Sequence, residues 1–366
     1  MKVVLSGGGT AGHINPALAL AEELRARGHE VCFAGTPTGV EARLVPQAGI
    51  EFVPFEAAGF DRQKPWTLVT STAKIAASAR KAKRWMREVR PDAVVGFGGY
   101  VCIPVGLAAA SLDIPLAMHE QNSVMGMANK FLGKRAKAVA LTYEAAGKDI
   151  ADRSKIVLTG NPVRSSVLSA TREQGRDMLG IPDDAVMLLV FGGSLGARHI
   201  NKAVGALKEE LLARENLYVV HITGPKEFDA VKEELALTPD EAKRWTVMAY
   251  QDRMAETLAA ADCAISRAGA TSLAEISAIG LPALLVPFPF AAEDHQTTNA
   301  EAYVASGAAY MQRDDELDGS AFAEKLFALV DDADLRERMH DAAAGFKTQD
   351  AAANLADVVC RIADAG

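Results

Sequence analysis

The chain has 366 residues, 49% of them hydrophobic, with a net charge of −8 and four widely separated cysteines, Cys32, Cys102, Cys263 and Cys360. That length accommodates two cores of roughly 100 to 200 residues each. No apolar run approaches the roughly 18 residues of a membrane helix and no CxxC pair or signal peptide is evident, which argues against an integral membrane protein, a disulfide framework and a zinc site and fits a reducing cytoplasm.

From the amino end, apolar β-branched runs predict strands at 2–6, 31–34, 92–96, 115–118, 137–141 and 155–158, then at 186–191, 218–223, 245–249, 262–266 and 283–287. Amphipathic helical stretches separate them. Strands that are apolar almost throughout, with helices between, indicate parallel sheets covered on both faces. The expected fold is α/β: two doubly wound, Rossmann-like parallel-sheet domains. Gly160 and Pro162 in GNPVRSS, 160–166, break regular structure after a strand and mark the joint. The expected divisions are an N-terminal domain 1–160, a C-terminal domain 161–348, and a C-terminal helix in 349–366 that could pack back on the N-terminal domain.

Charge is divided unevenly between the halves. Residues 1–160 hold 20 basic and 14 acidic side chains, while 161–366 hold 19 and 33. The excess of positive charge is concentrated in 61–90, with nine basic and two acidic side chains. Such a patch suits a polyanion or an anionic membrane surface. At helical spacing Leu68, Thr72, Ile75, Ala79, Ala82, Met86 and Val89 form one stripe, the face expected to be buried. Trp85 falls about 100° round from it, beside Lys74 and Lys81.

A strand, glycine-turn, helix unit occurs twice, in KVVLSGGGTAGHINPALALAEEL at 2–24 and VMLLVFGGSLGARHINKAVGAL at 186–207. Glycines let the backbone turn sharply and bring amides close to a ligand, and the following helix offers a positive end to phosphate. A nicotinamide site is disfavoured, because the second strand runs into VCFAGTPTG with no Asp or Glu for a ribose. His13 adds a titratable group at the first helix start, where it can serve as a base or as a simple cap. GFGGY at 96–100 and HEQN at 119–122 also follow strands, at the edge where open α/β sheets bind ligands. His13, Tyr100, His119, Glu120 and Asn122 could thus line one wall from separate loops, although a His-Glu pair is equally a structural hydrogen-bonded pair.

In the second half Ser194 adds a hydroxyl to the repeated turn, and SRAGATSLAEISAIGLP at 266–282 supplies another glycine turn followed by a helix bearing Glu275. A carboxylate there can take both hydroxyls of a ribose. Arg164, just after the joint, suits a phosphate, since a guanidinium pairs with it in good geometry. PFPFAAEDHQTTNA at 287–300 delivers Gln296, whose amide suits sugar hydroxyls.

The ordered set GGGTAGHINPALA, FGGYV, HEQN, GNPVR, GGSLGAR, GATSLAEI and DHQTTNA resembles the MurG family of bacterial glycosyltransferases, over nearly the whole chain. The resemblance implies a GT-B fold, with the two domains facing across a cleft. It implies an inverting transfer of N-acetylglucosamine from UDP-N-acetylglucosamine to the C4 hydroxyl of the N-acetylmuramoyl pentapeptide carried on undecaprenyl diphosphate (lipid I), giving lipid II for peptidoglycan, with no obligatory cofactor or metal. By position, Thr10, Ala11, Gly12 and Asn122 approach the donor sugar, and Gly9 and Tyr100 lie on the side of the acceptor diphosphate. Arg164, Ser194, the segment Ala270, Thr271, Ser272, Leu273, Ala274 and Glu275, and Gln296 hold the donor. The backbone at Gln251 contacts uracil. Thr297 stands where some relatives have a second glutamine, which puts that contact in doubt.

For the chemistry, His13 is the first choice as general base, with Glu120 or His119 as alternatives. A lipid acceptor gives the basic stretch a use: Trp66, Lys74, Lys81, Arg84 and Trp85 are expected at the cytoplasmic face of the cell membrane, in peripheral contact with anionic lipid. No nucleic acid is implied. A UDP-N-acetylglucosamine epimerase, or a non-catalytic nucleotide-sugar or lipid-carrier binding protein, would share the glycine turns. Incubation with the donor, with and without a lipid I analogue, separates the three by product.

Overall fold

The computed structural model describes residues 1–57, 66–193, 196–343 and 350–365, without the side chains of 66–72 and Ala292. The chain divides into two compact units, Met1–Arg164 with Thr348–Gly366, and Ser165–Lys347. Each is built on one wholly parallel sheet, the doubly wound α/β arrangement expected from the apolar strand pattern.

In the first unit β1 (Lys2–Ser6), β2 (Glu30–Gly35), β3 (Glu51–Pro54), β4 (Ala93–Gly96), β5 (Leu116–Glu120), β6 (Ala138–Leu141) and β7 (Ile156–Leu158) run in the order β3-β2-β1-β4-β5-β6-β7. The helices are α1 (Ala11–Ala26), α2 (Glu41–Gln47), α3 (Trp66–Val89), α4 (Cys102–Ala110) and α5 (Met127–Gly133). Chain order reverses between β1 and β4. The turns leaving these two strands therefore stand side by side at the carboxyl edge, where such sheets open a crevice. The second unit repeats the plan with β8 (Val186–Phe191), β9 (Leu217–Ile222), β10 (Trp245–Met248), β11 (Cys263–Ser266), β12 (Ala283–Leu285) and β13 (Ala309–Met311), ordered β10-β9-β8-β11-β12-β13. Its reversal lies between β8 and β11. The helices of the second unit that matter here are α6 (Arg172–Leu179), α7 (Arg198–Ala206), α8 (Ala270–Ile279) and α9 (His295–Val304).

The last helix, α10 (Ala351–Asp364), belongs to the first unit. It buries Leu355, Ala356, Val358, Val359 and Ile362 in the same cluster as Leu18, Leu20 and Leu24 of α1 and Val3 and Leu5 of β1. Arg27 of α1 clamps it from outside, donating to Asp357 at 2.5 Å and to the Ala353 carbonyl at 3.3 Å. The opposite face of the sheet is covered by α3, α4 and α5. Along α3 the stripe Ile75, Ala79, Ala82, Met86 and Val89 turns inward, with Ala82 and Met86 fully buried.

One surface expectation for α3, that of Trp85, is corrected, while Lys81 is exposed. The Trp85 ring is half-buried and packs on the fully buried Phe55, with centroids 5.4 Å apart. The Lys81 ammonium sits over the same ring and donates to the Pro54 carbonyl at 3.2 Å. The Trp85 ring covers the end of β3, because the large Phe55 side chain needs an apolar cover on its outer flank. Lys74 and Arg84 are exposed; the Trp66 side chain lies outside the described residues.

Two buried histidines fasten strand ends. His119 on β5 donates from Nε2 to the Gly160 carbonyl at 3.0 Å, and its Nδ1 accepts from Gln121 Nε2 at 3.1 Å. His221 on β9 donates from Nε2 to Asn201 Oδ1 of α7 at 3.1 Å. Both rings are completely enclosed, and burial pushes each pKa down to about 4. Both are therefore neutral when folded.

Two outcomes are expected. Leu355→Ala should cost the first unit about 2–5 kcal/mol, read in urea unfolding; an unchanged transition would show that α10 is not part of that core. Because an unfolded histidine binds its proton below about pH 6.5 and the folded rings do not until about pH 4, stability should fall as the pH drops from 6.5 to 5. The slope is about 1.4 kcal/mol per pH unit for each histidine, and unfolding midpoints that stay level across that window would contradict it.

Candidate functional site

The first glycine turn is shaped by contact with a second one. Gly9 has φ +90°, and the chain enters α1 through Thr10, which is extended and uses no side-chain cap. Gly98 and Gly99, leaving β4, have φ +105° and +83°. A Cβ on Gly99 would lie 2.5 Å from the Gly8 carbonyl oxygen, and one on Gly98 would lie 2.9 Å from His13 Nε2. Only bare backbone fits at either position.

This contact defines the state of His13. Its Nδ1 lies 2.8 Å from the Gly8 carbonyl, which only accepts, so the proton is on Nδ1 and the Nε2 lone pair is bare. Among the described residues no hydrogen-bond donor or acceptor occupies Nε2. His13 is half-buried in the first turn of α1, with Ala11 and Gly12 half-exposed beside it and Gly9 and Thr10 exposed. Below the turn, the buried Cys102 thiol donates to the carbonyls of Ser6 and Gly98, and burial raises its pKa to about 11. That sulfur braces the turn as a thiol.

His119 and Glu120, the alternative bases, are corrected by their surroundings. His119 is closed off and both ring nitrogens are engaged, as described above. Glu120 is buried and accepts four hydrogen bonds: from the Asn122 backbone N–H at 3.0 Å, Asn122 Nδ2 at 3.2 Å, the Gly126 N–H at 2.9 Å and Asn129 Nδ2 at 2.8 Å. Its carboxylate folds the 121–126 loop and orients Asn122. His119 and Glu120 are thus both structural, although no hydrogen bond joins one to the other: each fastens its own set of partners. Tyr100 is half-exposed beside Gly99.

In the second unit Ser194 lies outside the described residues. Its neighbours Gly193 and Gly196 have φ +82° and +79°, and a Cβ on Gly196 would meet the Thr223 carbonyl at 2.1 Å. Asn201 of α7 donates to that carbonyl at 3.0 Å, holding the turn against the end of β9. After β11, Gly269 leads into α8, where Ala270 and Leu273 are buried in the core and Thr271, Ser272, Ala274 and Glu275 are half-exposed. Ala270 and Leu273 can therefore offer a ligand only backbone.

Gln251, after β10, spends its side chain locally: Oε1 accepts from the Arg253 N–H at 3.0 Å and Nε2 meets Met248 Sδ at 3.6 Å. Gln296, in the first turn of α9, accepts from the Phe288 N–H at 3.0 Å through Oε1, which aims its amide N–H groups away from that loop. Thr297 does not duplicate it, because its hydroxyl donates to Asp294 at 2.7 Å. Arg164 ends the first unit, and its Nε is buried with no hydrogen-bond partner among the described residues. A buried Nε–H in that condition suits an anionic partner.

Two supporting residues escaped the sequence reading. Arg267, directly after β11, reaches the carbonyls of Val286 at 3.3 Å and Pro287 at 3.2 Å and pairs with Asp314, so it fixes the loop that carries Phe288. Asp314 in turn accepts from His199 Nδ1 at 2.9 Å. Nothing in the acidic run at 314–316 distinguishes Asp314 from solvated neighbours. The other is Glu41, a fully buried carboxylate at the start of α2.

The glycosyltransferase family 28 N-terminal domain matches residues 3–141 and the family 28 C-terminal domain residues 187–355. The UDP-N-acetylglucosamine–N-acetylmuramyl-(pentapeptide) pyrophosphoryl-undecaprenol N-acetylglucosamine transferase of Halothermothrix orenii is 40% identical over 344 residues, 93% of each chain. The crystal structure of Acinetobacter baumannii MurG superposes with a TM-score of 0.73 at 30% identity, covering 98% of this chain and 99% of that one. A UDP-GlcNAc 2-epimerase from Neisseria meningitidis, covering 99% and 100%, reaches a TM-score of 0.70 at 15% identity and so shares the fold alone. Two matching domain models and this identity over nearly the full length place the chain in glycosyltransferase family 28, as a member of the MurG family of GT-B glycosyltransferases.

Proposed function

We propose that this chain transfers N-acetylglucosamine from UDP-N-acetylglucosamine to the C4 hydroxyl of the muramoyl group of lipid I, forming lipid II with inversion at the anomeric carbon and without an obligatory cofactor. The observation that carries the mechanism is the bare Nε2 of His13, held by the Nδ1–H bond to Gly8. The acceptor oxygen bonds to the anomeric carbon as the bond from that carbon to the β-phosphate oxygen breaks; the hydroxyl proton passes to Nε2 and UDP departs with the electron pair. The Gly8 carbonyl keeps its hold on Nδ1 throughout, so the ring cannot turn away as it gains the proton.

In the second unit, the backbone at 270–275 and the carboxylate of Glu275 serve the nucleoside, Gln296 the sugar and the Gln251 backbone the uracil. The amide end of α7 and the hydroxyl that Ser194 supplies take charge from the departing diphosphate, and the Arg164 guanidinium of the first unit suits a phosphate. Positive groups of this kind do what a bound cation would do. Asn122, oriented by Glu120, lies on the sugar side.

No helix among the described residues is long and apolar enough to cross a membrane. A lipid-linked acceptor then calls for peripheral attachment at the cytoplasmic face, and the exposed basic side chains Lys74 and Arg84 of α3 support it. With the Trp85 ring packed on Phe55 at the end of β3, the contact is mainly electrostatic.

Replacing His13 with Ala should lower kcat by about 10²- to 10⁴-fold at saturating donor and acceptor, with the KM for UDP-N-acetylglucosamine little changed; near-normal turnover removes the base assignment. In vesicle sedimentation the protein should bind anionic liposomes at low salt, lose binding as salt rises, and lose it in Lys74→Glu/Arg84→Glu. Absence of binding at low salt would sink the membrane reading, whereas Trp85→Ala should alter stability more than binding.

A further inference from the structure

We infer that Glu41 is a positioning residue for the transfer reaction, acting on His13 through the backbone of the first glycine turn; the inference rests on His13 being the base. Glu41 is the first residue of α2 and is fully buried. Its Oε1 accepts from the Thr36 N–H at 3.0 Å and from the Thr36 hydroxyl, and its Oε2 accepts from the Gly9 N–H at 3.4 Å. No Lys, Arg or His is paired with it among the described residues. A buried carboxylate without a cation is costly unless donors and a helix start compensate it, and here both do.

The niche is cut to this side chain by glycines. A Cβ on Gly8 would lie 2.6 Å from Glu41 Oε1, one on Gly39 2.2 Å from Oε2, and one on Gly35 2.7 Å from Cγ. The carboxylate therefore sits directly beneath Gly8 and Gly9, with its position set by the end of β2 and the approach to α2. It holds the amide of Gly9, the residue whose positive φ makes the turn, while the carbonyl of Gly8 is left pointing at His13 Nδ1. The Gly9 amide is directed inward at that carboxylate. The first turn is thus built to present a carbonyl to the base rather than an amide to an anion.

Glu41→Gln keeps the volume but replaces one acceptor oxygen by an NH₂ group, which cannot serve both Thr36 and Gly9. We expect kcat to fall roughly 10- to 100-fold, the scale of a small misplacement of a reacting group, with the KM for UDP-N-acetylglucosamine within about twofold and the unfolding midpoint nearly unchanged. In the His13→Ala background the same change should cost less than about threefold, because a residue acting through His13 has nothing left to position. Should Glu41→Gln fail to fold, Thr36→Val, which removes one hydroxyl donor and leaves the carboxylate in place, carries the same cycle with a several-fold loss expected. An unchanged kcat in Glu41→Gln, or a loss fully additive with that of an inactive His13→Ala, overturns the role of Glu41 and leaves the base assignment standing. Normal turnover in His13→Ala alone overturns the base assignment itself.

Discussion

The first unit depends on one close approach: the backbone of Gly99 laid against the carbonyl of Gly8, at a distance no side chain permits. The strand order creates the opportunity, because reversal between β1 and β4 sets the two turns side by side. Glycine at 98 and 99 turns the opportunity into a contact. With the two turns locked, the Gly8 carbonyl cannot swing, and the imidazole it holds has one tautomer and one orientation. The side chain with a free lone pair at this edge is thus specified by residues 85 and 86 positions further along the chain.

Around this contact, ionisable groups that look reactive are used to shape loops. Glu120 collects four donors to fold the 121–126 loop, Glu41 collects three to fix the turns after β1 and β2, and His119 bridges Gln121 to Gly160. A loop at a sheet edge exposes backbone N–H groups that the ladder no longer pairs, and a buried carboxylate satisfies several at once. The second unit follows the same rule with other residues: Arg267 gathers carbonyls after β12, and Asn201 with His221 ties α7 to β9. Rigidity at the edges comes from groups held in loops, while among the described residues His13 Nε2 and Gln296 Nε2 have no hydrogen-bond partner.

The fold was legible because central strands buried on both faces read as continuous apolar runs. The two strands missed, β3 and β13, are edge strands of four and three residues, and β3 is exposed at both ends and only half-buried between them. Short edge strands carry too little apolar signal to separate them from loop. At the site, the glycine turns, His13 and Gln296 were legible as types at positions. What sequence could not distinguish was a histidine facing a crevice from one facing a core: His13 and His119 both sit beside a strand's carboxyl end, and only the burial of the second separates them. Trp85 failed for a related reason, since helical spacing places it beside lysines but says nothing of Phe55, thirty residues earlier, which it covers.

The glycine turn occurs twice, yet the two copies need not do the same work. A turn into a helix offers two kinds of polar group, amides that suit anions and carbonyls that suit donors, and which of them faces a ligand depends on what lies beneath. Beneath the first copy lies a carboxylate that claims the Gly9 amide, so a carbonyl is presented and a histidine is what it can hold. A second negative charge directly over that carboxylate would meet electrostatic opposition, whereas a neutral hydroxyl about to lose a proton would not. The first turn thus presents a carbonyl that suits a donor, whereas the buried Nε of Arg164, without a partner among the described residues, suits an anion.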